Sequence, residues 1–168
     1  MKFFETPEFS AGGDKWTMCF YPNGNEARGG TGFVSLYLRR QKTPGSRSKE
    51  ASVAMKFFVL EQNSDEYLVI EDLGEKQFDI RGKEWGIPQI LEINYFNESD
   101  NGFVVDNTCT FGAEIFITSS EPSFSKTSLV KTISKRLFEL SITLDSSATD
   151  NIDSIPFVTK FDGETYTC

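Results

Sequence analysis

The sequence predicts an all-β fold, an antiparallel sandwich of two sheets. Three observations carry that prediction. Apolar and polar residues alternate over several short runs, the period of strands buried on one face. Turn signals such as Asn-Gly and Pro-Gly separate those runs at short intervals. A 168-residue chain with 16 phenylalanines and 38% hydrophobic residues can bury one sizeable core without metal or disulfide staples.

Taken in order, Lys15 to Tyr21 alternates, with Trp16, Met18 and Phe20 on one side, and "YPNGN" (21–25) supplies a turn. "GFVSLYLRR" places Val34, Leu36 and Leu38 on one face and Phe33, Ser35 and Tyr37 on the other, and "TPGS" (43–46) ends it. "SVAMKFFVLEQ" (52–62) is apolar on both faces around Met55 to Leu60, which predicts a central strand covered on both sides. "EYLVIED" and "KQFDIRG" read as two further strands. Pro88 in "PQILEINYF" suits the first position of a short helix. "NGFVVD" and "TCTFGAEIFI" form the last clear pair, with Cys109, Phe111, Ala113, Ile115 and Ile117 sharing a face.

The character changes at Thr118. "TSSEPSFSKTS" (118–128) is a polar, serine-rich linker by composition, and "DSSATDNIDS" (145–154) reads as a loop. Between them Leu129, Ile133 and Leu137 have helical spacing, whereas Phe138, Leu140, Ile142 and Leu144 alternate as a strand. The strand is the preferred reading.

Composition excludes several function classes. The net charge of -8 opposes non-specific nucleic-acid binding, because phosphates would be repelled. The chain has no histidine, which removes the commonest general base, the usual partner of nucleophilic Ser and Cys, and most zinc sites. Cys19, Cys109 and Cys168 are far apart and lack metal-ligand spacing. Their odd number suits a reducing compartment, the cytoplasm or nucleus. The acidic residues Glu5 and Glu8 stand where a signal peptide needs an apolar run, and no stretch approaches the roughly 20 apolar residues of a membrane span. No metal, cofactor or catalytic residue is therefore expected, nor any membrane or nucleic-acid partner.

Four stretches in order then resemble a known family. "FSAGGDKWTMCFYPNGN" (9–25), "VSLYL" (34–38), "GKEWGI" (82–87) and "NGFVVDNTCTFGAEIFI" (101–117) are similar to the motifs of MATH domains, the meprin and TRAF homology or TRAF-like domains. The wording of "PEFSAGGDKW" and "YPNGNEARGGTGFVSLYL" is most similar to plant TRAF-like proteins, which often carry tandem MATH repeats. The resemblance covers residues 3–117 and implies an eight-stranded antiparallel sandwich that binds short peptide segments of other proteins. Ubiquitin-ligase adaptors and substrate receptors use the family in this way. The division implied is a domain at 3–117, a linker at 118–136 and a tail at 137–168.

The family's opening strand, patterned Phe-x-Trp-x-Ile, does not precede the Gly-Gly motif here. "FELSI" (138–142) has the same spacing, and "SIPFVTKFDGETYTC" echoes "TPEFSAGGDKWTMC". The tail thus reads as the start of a truncated second repeat. Its strand is expected to fold back into the missing position or to swap into a neighbouring chain.

The resemblance also implies a peptide groove. Tyr37 matches the family's groove tyrosine, and Lys83, Glu84, Trp85 and Ile87 occupy its wall loop. Met55 and Gln77 stand where the family carries aromatics, and Ile87 where phenylalanine is common, so the groove is less aromatic. Tyr37, Met55, Gln77, Lys83, Glu84, Trp85 and Ile87 are accordingly the candidate peptide-binding residues. Met55 would supply an adaptable apolar contact. For Trp85, walling the groove and capping the core weigh equally; Lys83 and Glu84 also fit a solvated pair. Trp16, Gly12 and Gly13 read as structural.

The leading function is a non-catalytic protein-interaction module for short linear motifs, a monomer or a strand-swapped dimer. Alternatives are a carbohydrate-binding sandwich using Trp and Tyr platforms, and self-association through an incomplete sheet edge. A glycoside hydrolase would need two carboxylates roughly 5 to 10 Å apart, which nothing in the sequence identifies.

Overall fold

The computed structural model describes residues 3–41, 50–79 and 83–118, and the backbone course of 133–143, 158–161 and 164–167. Within these, the strands form two antiparallel sheets of five and six. In chain order they are β1 (Phe4–Glu5), β2 (Phe9–Ala11), β3 (Asp14–Tyr21), β4 (Phe33–Arg40), β5 (Glu50–Glu61), β6 (Glu66–Asp79), β7 (Glu84–Glu92), β8 (Thr108–Thr118), β9 (Ile133–Thr143), β10 (Val158–Phe161) and β11 (Glu164–Thr167). The first sheet runs β1-β3-β4-β7, with β2 also paired to β3. The second runs β11-β10-β9-β8-β5-β6.

Alternation decides what each strand buries. In β3 Trp16, Met18 and Phe20 face the second sheet, as do Val34, Leu36 and Leu38 in β4. From the second sheet Val53, Met55, Phe57 and Val59 of β5 meet them, together with Phe111, Ala113 and Ile115 of β8. Burying a side chain of this size contributes roughly 1.5–3 kcal/mol. Aromatic contacts bind the layers: Phe20 lies 4.2 Å from Phe111, centroid to centroid, and Trp16 meets Phe78 edge-on at 5.0 Å.

The Gly-Gly-Asp-x-Trp motif is structural. Gly12 (φ +60°) and Gly13 (φ +83°) form the two-residue turn between β2 and β3, a left-handed conformation that side chains resist. Asp14 then reaches the inward-facing Arg40 at 2.8 Å, and the Trp16 indole donates to the Ala11 carbonyl at 3.0 Å.

Several elements depart from their sequence reading. Residues 66–79 are one strand, because a register shift opposite Val53 and Met55 absorbs the residues between Asp72 and Lys76. The outer face of β5 is half-exposed rather than covered, since among the described residues no layer lies over Lys56 and Phe58. Pro88 does not open a helix: it lies in β7, at the edge of its sheet, where a missing N–H is tolerated, and the short helix α1 (Ile93–Asn97) follows. "NGFVVD" contains no strand; Val105 bridges to Thr108 across Asp106 and Asn107, both left-handed. The "TPGS" turn and the 145–154 loop lie outside the described residues.

β9 starts at Ile133, inside the stretch read as linker, and runs antiparallel along β8 from Thr118↔Ile133 to Thr108↔Thr143. β10 pairs with its other side, and β11 with β10.

Candidate functional site

The face of the first sheet turned away from the core carries an unusual buried polar layer. Cross-strand partners share a face, so Glu5, Cys19, Tyr37 and Gly86 line up across β1, β3, β4 and β7. Beside them run Thr17, Arg39 and Glu84, and on the other flank Tyr21 and Ser35. Cys19, Tyr21 and Tyr37 form a buried cluster of their own.

Charged side chains strap this layer down. Arg39 Nη1 donates to Glu5 at 2.9 Å, while its Nε and Nη2 donate to Glu84 at 3.0 and 2.6 Å. Burial works against the Arg39 charge, but the Glu84 hydrogen bond and surrounding negative charge outweigh it and hold Arg39 above its usual value. Burial likewise pushes the Cys19 thiol to about 12, with Arg39 acting the other way. Phe3 stacks on Tyr21 at 5.0 Å, and Arg39 lies over the Phe3 ring at 5.5 Å.

Arg28 covers Tyr37. Its guanidinium sits 5.0 Å from the ring centroid and donates to the Glu84 carbonyl at 3.0 Å. The loop that carries it is tied down by Gln89, which donates to the Gly29 carbonyl, and by the Asn25 carbonyl, which accepts from Arg28 and Gly30. Gly86 lets β7 lie this close to β4: a Cβ there would stand 2.1 Å from the Leu36 carbonyl oxygen.

The Tyr37 hydroxyl is buried and meets hydrogen-bond geometry with no partner among the described residues. Ser35 acts on Tyr37 as a hydrogen-bonding neighbour that favours its ionised form, yet the pair falls short of hydrogen-bond geometry; the Ser35 hydroxyl instead donates to the Pro88 carbonyl at 2.5 Å and accepts from the Asn25 N–H. Burial, the largest influence, raises the Tyr37 pKa. A buried hydroxyl left unpaired costs about 1–3 kcal/mol.

The seven candidate residues do not share one surface. Tyr37 and Glu84 belong to the strapped layer, although Tyr37 is only 1% exposed. Trp85 and Ile87 pair with Leu38 and Leu36 and turn toward the core side, where both pack against it. The Trp85 indole donates to the Gln77 carbonyl at 3.0 Å, closing the open side of the sandwich between β7 and β6. Lys83 lies over the Trp85 ring at 4.8 Å and Lys76 at 5.7 Å. Gln77 projects from the outer face of the other sheet and donates to Ser52. Met55 is 2% exposed in the inter-sheet core and offers no surface contact, because β5 puts odd-numbered residues inward.

Sequence reading missed Glu5, Arg28 and Arg39. Period two from Tyr37 points to Arg39, but no local pattern places Arg28, which comes from a loop. Among the described residues no cluster of His, Cys, Asp and Glu is arranged to hold a metal ion, and no helix is long and apolar enough to cross a membrane.

The two-sheet architecture and the Gly-Gly-Asp-x-Trp turn have a counterpart among known families: the MATH domain profile matches residues 1–115. The chain belongs to the MATH domain family. MATH domains are generally protein-interaction modules without catalytic activity of their own. No curated protein matches the sequence. Tyr37 of this MATH domain thus lies on an interaction module, in a layer its own arginines cover.

Proposed function

We propose that this MATH domain binds a short extended peptide of a partner protein across the outer face of β4 and β7. The observation that carries the reading is Tyr37, whose ring lies under Arg28 and whose buried hydroxyl has no partner among the described residues. Arg28 is 43% exposed at its side chain and is held to Glu84 by one hydrogen bond and a 4.0 Å ion pair, so it can swing aside. A peptide hydroxyl or amide then pairs with Tyr37, while Glu84 accepts donors from the same segment. Trp85 and Ile87 support the wall from behind, with Lys83 over the Trp85 ring, while Gln77 and Met55 lie on the other sheet and outside this face.

The family's use in ubiquitin-ligase recognition supports a further proposal, that the chain is an adaptor or substrate-recognition unit in such a pathway. The free buried cysteines Cys19 and Cys109 support a cytoplasmic or nuclear setting. Nothing favours sugar binding, since the Trp85 ring packs on the core and the Tyr37 ring lies under Arg28.

Tyr37→Phe tests the reading. It removes only the unpaired hydroxyl, so the fold should keep or slightly gain stability. Peptides selected on the unmodified protein by display should bind the variant about 5- to 10-fold more weakly, near 1 kcal/mol. Unchanged peptide affinity would remove Tyr37 from the site.

A further inference from the structure

We infer that the side of β8 away from β5 is a strand-accepting site and that the chain's own segment Ile133–Thr143 is its occupant, within the same molecule. The occupant comes from outside residues 1–115, the region matched to the family. Left unpaired, β8 would expose a long row of backbone N–H and C=O groups next to the buried core residues Cys109, Phe111, Ala113 and Ile115.

The register argues that the pairing is specific. It sets Ile142, Leu140 and Phe138 opposite Cys109, Phe111 and Ala113, the residues of β8 that face the core. Their neighbours Ser141 and Glu139 fall opposite Thr110 and Gly112 on the other face. Sliding the strand by one residue would bring Ser141 and Glu139 to the core positions, so the alternation selects this register against its neighbours.

A second observation is independent of the first. β9 is itself paired on its far side, Val158↔Ser141 to Lys160↔Glu139, so it lies inside the sheet and is flanked by β8 and β10. The β8 edge is then closed to partner strands, and the family-matched region depends on sequence beyond it to extend its sheet.

Two variants of the full-length chain test this. Leu140→Pro removes an N–H and adds a ring in the middle of a strand with neighbours on both sides. The melting temperature should fall by about 5 °C or more, and amide exchange over residues 109–117 should accelerate at least about tenfold, with Ser146→Pro changing neither. If Leu140→Pro leaves both unchanged, the strand is dispensable and the inference fails. Glu114→Cys with Leu137→Cys joins a register pair, whose Cα separation of roughly 4.5–5.5 Å suits a disulfide. Peptide mapping should find that disulfide in a monomer. A disulfide-linked dimer would assign the site to a second copy, and failure to form either would overturn the pairing.

Discussion

Asp14 and Arg40 form an ion pair inside a β-sandwich, and cutting it offers a sharp test of how the fold is held. The side chains are 4% and 1% exposed, with Nη2 2.8 Å from Oδ2, and Arg40 Nη1 donates to the Phe78 carbonyl at 3.0 Å. Asp14→Ala removes a carboxylate that the buried Arg40 guanidinium pairs with, a change that costs about 3–5 kcal/mol. At about 2–4 °C per kcal/mol for a chain of this size, the melting temperature should fall by about 6–20 °C. Urea unfolding followed by tryptophan fluorescence reads the loss directly, because Trp16 is buried against Phe78. Lys15 and Glu8 supply the internal control: their pair is nearly as short, 2.9 Å, but 54% and 48% exposed, so Glu8→Ala should stay within about 0.5 kcal/mol. Adding Arg40→Met to Asp14→Ala should recover much of the loss by removing the buried charge whose carboxylate was deleted, less the cost of losing the donor to the Phe78 carbonyl. A loss under about 1 kcal/mol for Asp14→Ala, or no recovery in the double variant, would refute burial as the reason the pair matters.

Two further outcomes follow from the same structure. Trp85→Ala should destabilise the fold by about 2–4 kcal/mol, because the ring packs on the core and its N–H is bonded to Gln77; an unchanged denaturation midpoint would return the ring to a purely surface role. Burial pushes the Cys19 and Cys109 thiols up from their ordinary range to about 12, so the folded state holds protons that the unfolded state releases. That contribution is complete below about pH 9 and is lost as pH rises toward 12. Midpoints measured at pH 8 and pH 10.5 should therefore differ, and Cys19→Ala with Cys109→Ala should shrink the difference; a difference of the same size in the double variant would count against the thiols.

Alternation and turn chemistry determined much of this molecule by themselves. Period two in β3, β4 and β8 named the core face, and Gly-Gly and Asn-Gly named two turns, because each signal is written within a few residues. The same rule anticipated a strand through Phe138, Leu140 and Ile142. Sequence did not separate Met55 from a surface position, since an apolar residue in a doubly apolar run fits either face until its register with β8 and β6 is set. It placed Trp85 in a loop, whereas pairing with Leu38 makes it a β7 residue turned to the core side. The strapped layer was least legible: Glu5, Arg28, Arg39 and Glu84 lie tens of residues apart, and only the lateral order of β1, β3, β4 and β7 brings them together. Tertiary structure alone decided that Tyr37 is buried, because that depends on Arg28, from the loop before β4, lying across its ring.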